Sequence, residues 1–253
     1  MIDIHSHVLP GVDDGAQTIE ESLEMLKIAA AAGTTDIVAT PHANSQFPFN
    51  AERIEQAFRD LSERSRHLIN LHLGCDFHIN FENLGDTLRN PEKYTINHGR
   101  YLMVELPDLV ALPAIQQALR QLVRMRISPV ITHPERNVSL QAKLHELERW
   151  IADGCFVQVT GQSLLGRFGQ SARRAADSLL KAGLVHFIAS DAHDCTDRPP
   201  DLSHAYKYIS AHYGTSLAEA LCVYNPAAAL YNESVTSTWR RPGKLRSLFS
   251  FWK

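Results

Sequence analysis

MIDIHSHVLPGVDDGAQTIEESLEMLKIAAAAGTTDIVATPH, residues 1–42, contains the pattern from which the fold is read. Ile2–His5 is a short β-branched run, the mark of a strand. Thr18-Ile-Glu-Glu21 has the spacing of a capping box, in which a hydroxyl and a carboxylate satisfy the free N–H groups of a helix start. The helix runs through Leu23, Met25, Leu26 and Ala29–Ala32, and Gly33 ends it. Asp36–Thr40 (DIVAT) is a second strand. Both strands end at histidine: His5 and His7 on the first, His42 just past the second. Strand residues two apart face the same side, so His5 and His7 can meet one ion.

The alternation continues along the chain. A helix is expected from about Ala51 to Leu68, a third strand over Leu71–Phe77 and a fourth over Tyr101–Leu106. A helix over Leu112–Arg126 leads to a fifth strand, Pro129–Thr132, and another ends at Gly154 before the sixth, Phe156–Thr160. The helix around Ser171–Ala182 stops at Gly183, and Val185–Ser190 is the seventh strand. Helices fill Leu202–His212 and Leu217–Val223. Seven strands separated mostly by helices read as a parallel barrel or a wound sheet. A chain of 253 residues suits one such domain, since α/β barrels use about 250 residues.

Composition narrows the function. Hydrophobic content of 44% and charged content of 21% describe an ordinary globular protein. No run approaches the ~18 apolar residues of a membrane span, and no basic region precedes an apolar stretch at the N-terminus, so a cytoplasmic location is expected. Cys75, Cys155, Cys195 and Cys222 lack C-x-x-C spacing, which indicates neither a disulfide framework nor a zinc finger. The C-terminal stretch Trp239–Lys253 carries Arg240, Arg241, Lys244, Arg246 and Lys253 and no acid. Without those five cations, 20 basic side chains face 28 acidic ones. Such a body argues against a nucleic-acid partner, which needs a basic face for the phosphates.

The 13 histidines are where chemistry enters. His5 and His7 close strand one, His42 strand two, Asp76 strand three, Glu105 strand four, His133 strand five, and Asp191 with His193 strand seven. A lone His or Glu at a strand end is usually capped or solvated. Six of seven strands delivering one at the same end is a different matter, because α/β barrels build their sites there. Asp14, in a loop that by itself reads equally well as a turn, brings the candidate ligands to nine. Zinc takes about four ligands and an octahedral ion about six, so the set implies two or three ions sharing carboxylates and water. Imidazole and carboxylate donors without thiolate suit manganese, iron or zinc.

Arg136 and Arg198 lie a few residues past His133 and His193 and are candidate phosphate clamps, because guanidinium forks onto phosphate. Their bland alternative is an ordinary surface salt bridge. Phe47-Pro48-Phe49, after His42, offers two rings either as a lip for a tyrosine ring or as core beneath the loop. No C-x5-R motif is present: the residues six past the cysteines are Phe81, Gly161, Asp201 and Ala228. G-x-x-x-x-G-K-[ST], G-x-G-x-x-G and G-x-S-x-G are also missing. Covalent cysteine catalysis is excluded.

In this order, D-x-H-x-H, T-P-H, E-x-P, T-H-P-E-R and S-D-x-H resemble the motifs of the polymerase-and-histidinol-phosphatase (PHP) superfamily. IHSHVLPGVDDGA, ITHPERN and IASDAHDCTDRPP are similar to its bacterial protein-tyrosine-phosphatase branch, found with capsule and exopolysaccharide genes. The resemblance covers about residues 1–231. It implies a distorted (β/α)7 barrel, TIM-like, with a trinuclear, usually manganese-supported site at the C-terminal ends of the strands. It also implies, as substrate, the phosphorylated tyrosine-rich tail of a bacterial tyrosine kinase, with phosphorus attacked by a metal-bridging hydroxide.

Carried over by position, His5, His7 and Asp191 would hold one ion, Glu105 and His133 a second, with Asp76 bridging these two. Asp14, His42 and His193 would hold the third, and Arg136 and Arg198 would bind phosphate beside Asp14 as the catalytic set. The branch commonly has Glu where this chain has Asp76, one methylene shorter, so the bridge is either pulled in or partly replaced by water. The alternatives are a small-molecule phosphatase of the histidinol-phosphate type and a kinase-binding module without hydrolysis. Residues 232–253 form a basic, aromatic tail beyond the span of the resemblance. It suits peripheral contact with an anionic bilayer, or docking on the barrel or on a second copy in a homo-oligomer.

Overall fold

The computed structural model describes residues 1–107 and 111–235. β1 (Ile2–Ser6), α1 (Ile19–Ala31) and β2 (Asp36–Ala39) follow the sequence closely. Thr18 caps α1, its Oγ1 accepting from Glu21 N at 3.2 Å, while the Glu21 carboxylate takes Gln17 N at 2.8 Å.

The second and third expected strands each split. β2 resumes as β3 (His42–Ala43), and β4 (Asn70–Leu73) resumes as β5 (Asp76–His78). Pro41 has no N–H for the ladder, so pairing breaks there. The halves nevertheless stay side by side, because Gly74 N donates to Ala39 O (2.9 Å) and Asp76 N to Pro41 O (3.1 Å).

β6 (Tyr101–Glu105), β7 (Ser128–Ile131), β8 (Phe156–Thr160) and β9 (Phe187–Ala189) complete the set. Neighbouring strands pair in parallel and in chain order. The last strand then returns to the first: Asp191 N donates to His5 O at 2.9 Å and His7 N to Ala192 O at 2.8 Å. Counting each split pair as one strand, this is the expected distorted seven-stranded barrel.

The shell contains α2 (Ala51–Ser65), α3 (Phe81–Thr87), α4 (Leu112–Arg124), α5 (Leu144–Ala152), α6 (Gly161–Leu164), α7 (Gly169–Ala182), α8 (Ser203–Tyr213), α9 (Thr215–Glu219) and α10 (Asn225–Leu230). α3, α6 and α10 are additions to the sequence reading. α3 is a short turn of helix started by Asn80, whose Oδ1 accepts from Asn83 N at 2.8 Å. α6 leaves β8 without a loop, at Gly161, where a Cβ would stand 2.9 Å from that of Ala205.

Alternation along the strands sorts side chains into two layers. Leu102, Val104, Ile131, Val157, Val159 and Ile188 pack under the helices, with Leu122, Trp150 and Leu179. Their neighbours Tyr101, Met103, Val130 and Phe187 gather in a separate cluster inside the barrel, towards the strand starts. Above this apolar plug the same inward faces turn polar, with Glu105 on β6 and Gln158 on β8.

At the opposite end, Arg100 and Tyr101 bind Glu233 O, and Arg100 N donates to Asn232 Oδ1 (3.0 Å), so the chain leaves the barrel at the strand starts. The expected tail contacts with membrane, barrel or second copy fall mainly on residues 236–253, which lie outside the described residues. Among the described residues no helix is long and apolar enough to cross a membrane.

His186 ties β8 to β9: its N donates to Val157 O (2.9 Å) and its Nδ1 accepts from Val157 N (3.2 Å). Burial pushes the imidazole down to about 4. The unfolded chain therefore takes up this proton near pH 6.5 and the folded protein only near 4. The contribution is complete above pH ~6.5 and falls away with acidification, by at most about 3 kcal/mol. His186→Asn keeps an acceptor for Val157 but cannot titrate. With both proteins in chelator, its melting temperature should drop less than the wild type's between pH 7 and 4.5; parallel curves would contradict this account of His186.

Candidate metal centre

The open end of the barrel gathers the C-termini of the strands. His5 lies near the end of β1, and His42 opens β3, held there because its N donates to Asp13 Oδ2 at 3.1 Å. Asp76 opens β5 and Glu105 closes β6. His133 and Asp191 follow β7 and β9 with φ of 32° and 52°. Left-handed backbone is costly for side-chain-bearing residues and is characteristic of functional sites. Both strands therefore bend sharply at a candidate ligand.

All nine predicted side chains meet in overlapping groups whose ligand atoms lie within 4.8 Å of one another. Asp14, His42 and His193 form one group, as the resemblance implies, with His7 added. The others are distributed differently: His5 and His7 with Asp76, His5 and His133 with Asp191, and His42 and Asp76 with Glu105. The shorter Asp76 still reaches the centre, its Oδ2 lying 3.2 Å from His42 Nδ1 and 3.6 Å from His5 Nε2.

Three of the imidazoles are oriented by hydrogen bonds on their outer nitrogen. His7 Nδ1 lies 2.7 Å from Asp13 Oδ2, and a carboxylate can only accept, so Nδ1 carries the proton. His193 Nδ1 donates to Asp191 O at 3.0 Å. His5 Nδ1 donates to Gln158 Oε1 at 3.1 Å, an oxygen that His133 N also approaches at 3.4 Å. Each ring thus turns Nε2 inward, the orientation that an outer hydrogen bond imposes on metal-binding histidines.

The electrostatics are those of a cation site. Burial alone would raise Asp76 and Asp191, but their partners together outweigh it, His5 and His42 at Asp76 and His5, His7 and Arg198 at Asp191; both carboxyls are held well below the usual range. Burial opposes charge on His5, yet Asp76 and Asp191 hold its imidazole up at about 9. Burial, reinforced by the Asp76 charge, pushes Glu105 up to about 7. Burial also pushes His133 and His193 down to about 3, keeping both neutral and able to donate a lone pair. Four carboxylates this close need compensating positive charge. Oxygen and imidazole donors fit borderline divalent cations. His42 Nδ1 and Asp76 Oδ2, both buried, face each other without a hydrogen bond and would be satisfied by an ion.

Arg136 and Arg198 stand at the mouth and converge on one carboxylate. Arg136 Nη1 and Arg198 Nη2 both bond Asp191 Oδ2, the latter at 2.6 Å, and Arg198 Nη2 also reaches Asp191 O at 2.9 Å. The two rings of the 47–49 segment part company. Phe47 lies beside His42, ring centroids 6.1 Å apart, whereas Phe49 packs on Tyr94 at 4.8 Å and against the core. The lip reading therefore survives for Phe47 and the core reading holds for Phe49.

Sequence reasoning missed Asp13 and Gln158. Asp13 stands beside the more conspicuous Asp14, in a loop whose sequence reads equally well as a turn. Gln158, an amide in the middle of the apolar strand FVQVT, is the kind of residue that marks a polar barrel interior.

The profile of the family described as capsular polysaccharide synthesis, CpsB/CapC, matches residues 1–231. The chain belongs to that family. CapC of Staphylococcus aureus is 36% identical over 219 residues, covering 84% of this chain and 86% of its own. The tyrosine-protein phosphatase YwqE of Bacillus subtilis (strain 168) is 31% identical over 256 residues, the full length of both. Among solved structures, those of YwqE from Bacillus subtilis and CpsB from Streptococcus pneumoniae, metal-dependent tyrosine phosphatases, include a chain that superposes with a TM-score of 0.87. It is 30% identical and covers 93% of this chain and 96% of its own.

If Asp13 and Gln158 act by aiming histidines, Asp13→Ala and Gln158→Leu should each weaken divalent-ion affinity about 10–100-fold while the protein stays folded. Metal titration by calorimetry, paired with far-UV circular dichroism, measures this. Unchanged affinity would show that the residue does not aim its histidine at an ion.

Proposed function

We propose that this chain is a metal-dependent protein-tyrosine phosphatase of capsule or exopolysaccharide synthesis, with residues 1–231 as its catalytic unit. The nine side chains at the barrel mouth are its ligands, for three ions, manganese first and iron or zinc as alternatives. One observation carries the reading. Residues as far apart as His5 and His193 converge in one buried cluster of imidazoles and carboxylates, with two guanidiniums at its edge. The resemblance in sequence and fold to metal-dependent tyrosine phosphatases supports it.

Divalent ions, when bound, supply charge neutralisation for a phosphoryl group and lower the pKa of water. The chain's own residues do the rest. Arg136 and Arg198 project from two different loops towards the same spot and can each take a phosphate oxygen. Asp14 sits on the open side, where hydrogen bonding from His42 keeps its carboxyl ionised, so it serves as a ligand and not as a proton donor. Phe47, beside His42, offers an aromatic edge where a tyrosine ring would enter. No thiol competes for the role of nucleophile: burial pushes Cys155 and Cys222 up to about 12, Cys75 well above its ordinary range, and Cys195 upward as well.

The substrate follows from the same reading, as the phosphotyrosine-bearing tail of a bacterial tyrosine kinase. Steady-state kinetics on a phosphotyrosyl peptide and on histidinol phosphate, after reconstitution with each metal, tests it. The peptide should have the higher kcat/KM, chelation should abolish turnover and thiol alkylation should spare it. Arg136→Ala and Arg198→Ala should each lose about tenfold to a thousandfold in kcat/KM, the scale of one or two charge-assisted contacts. Preference for histidinol phosphate would move the chain to the small-molecule branch. No turnover of either ester with any of the metals would leave only the binding module.

A further inference from the structure

Phe168 stands outside everything described so far. It is half-buried, yet it belongs neither to the three buried apolar clusters nor to the side chains packed on them. Its ring instead faces two cations: the guanidinium carbon of Arg136 lies 4.3 Å from the ring centroid and that of Arg198 5.7 Å. We propose that Phe168 is a positioning residue that holds both guanidiniums in place to receive phosphate. This rests on the reading of Arg136 and Arg198 as phosphate ligands.

The physical need is plain. Two like charges share one carboxylate oxygen, Asp191 Oδ2, so a single negative charge must hold them both. Arginine is also among the side chains with the most rotamer freedom to lose. An aromatic face attracts a cation through its quadrupole and restricts a planar guanidinium without using any of its N–H donors. Those donors remain free for an incoming oxyanion. An acidic side chain in the same place would hold the arginines more strongly, but it would compete with phosphate and repel it.

The local chain is built to place this ring. Phe168 sits between α6 and α7, bracketed by Gly166 and Gly169 at φ of 85° and 86°, values that residues with a Cβ adopt only under strain. Gly169 N donates to Gly166 O at 3.0 Å and closes the turn. The turn is fixed to the loop of Arg136 through buried Glu135, whose Oε1 accepts from Thr160 N (3.0 Å) and Ser163 Oγ (2.7 Å). Gln141 joins in, donating to Glu135 O at 2.9 Å while its Oε1 accepts from Ser171 Oγ at 2.6 Å. On the other side Arg167 pairs with Asp197, the residue before Arg198. The turn that bears the ring is thus tied to the loops of both arginines.

The test uses full-length, metal-reconstituted protein and two probes: inorganic phosphate, by calorimetry and as a competitive inhibitor, and p-nitrophenyl phosphate. Phe168→Leu keeps apolar bulk but removes the π face; Phe168→Tyr restores the face. The Leu variant should bind phosphate about three- to thirtyfold more weakly, with unchanged ion content and melting temperature, and the Tyr variant should stay within about twofold of wild type. In an Arg136→Ala, Arg198→Ala background, Phe168→Leu should cost almost nothing more, since its partners are gone.

Equal phosphate affinity in Phe168→Leu and wild type would overturn the proposal, as would equal loss in the Leu and Tyr variants. A loss confined to the aryl ester, with phosphate binding intact, would overturn it too and make the ring a platform for the substrate. If the arginine variants themselves bind phosphate normally, it is the underlying reading of Arg136 and Arg198 that fails, and the role of Phe168 falls with it.

Discussion

Asp191 is the side chain on which the rest of the site depends. Its N–H closes the barrel on His5 O, and its carbonyl fixes His193. One carboxylate oxygen faces His5 and His7 at 3.5 Å each, and the other accepts from Arg136 and Arg198. A buried carboxylate is tolerable only when it is paired and hydrogen-bonded. Asp191 meets that condition by drawing histidines from the first strand and arginines from two later loops to one point. The left-handed backbone at this residue is the geometric cost of aiming both its carbonyl and its side chain at partners.

From this follows a division of labour along each strand. The strand starts enclose an apolar plug of Tyr101, Met103, Val130 and Phe187, which excludes water from below. The strand ends carry donors, and just outside them a second layer fixes the donors: Asp13 under His7, Gln158 under His5, and Glu135 under the turn that bears Phe168. Membership of the CpsB/CapC family, and the resemblance in fold to metal-dependent tyrosine phosphatases, accord with a centre whose parts come from the whole length of the barrel.

Much of this could be read from the sequence, for definable reasons. Strand ends were legible because parallel strands in a barrel all finish at one face, so a repeated His or acid at run ends has one geometric meaning. Element types were legible from the Thr18 cap and from the glycines at 33, 154 and 183. The breaks at Pro41 and at Gly74-Cys75 were not foreseen, because neighbouring strands carry the pairing across them. α6 escaped notice because four residues leave no helical period, and it exists through tertiary contact with Ala205. The separate fates of Phe47 and Phe49 depend on Tyr94, which no local pattern around residue 48 announces. Asp13, Gln158 and Phe168 act on other residues, and such roles leave little trace in spacing.

The central claim is that the nine converging side chains hold one shared cluster of ions. It is tested most directly by counting divalent ions per chain, by elemental analysis of protein purified without added metal or chelator, in wild type and Asp191→Ala. The account predicts at least two ions per chain in the wild type, by the ligand numbers that such ions require. It predicts a fall by more than one ion in Asp191→Ala, because that carboxylate touches histidines of overlapping groups. A single ion in the wild type, or a full complement retained without Asp191, would contradict it.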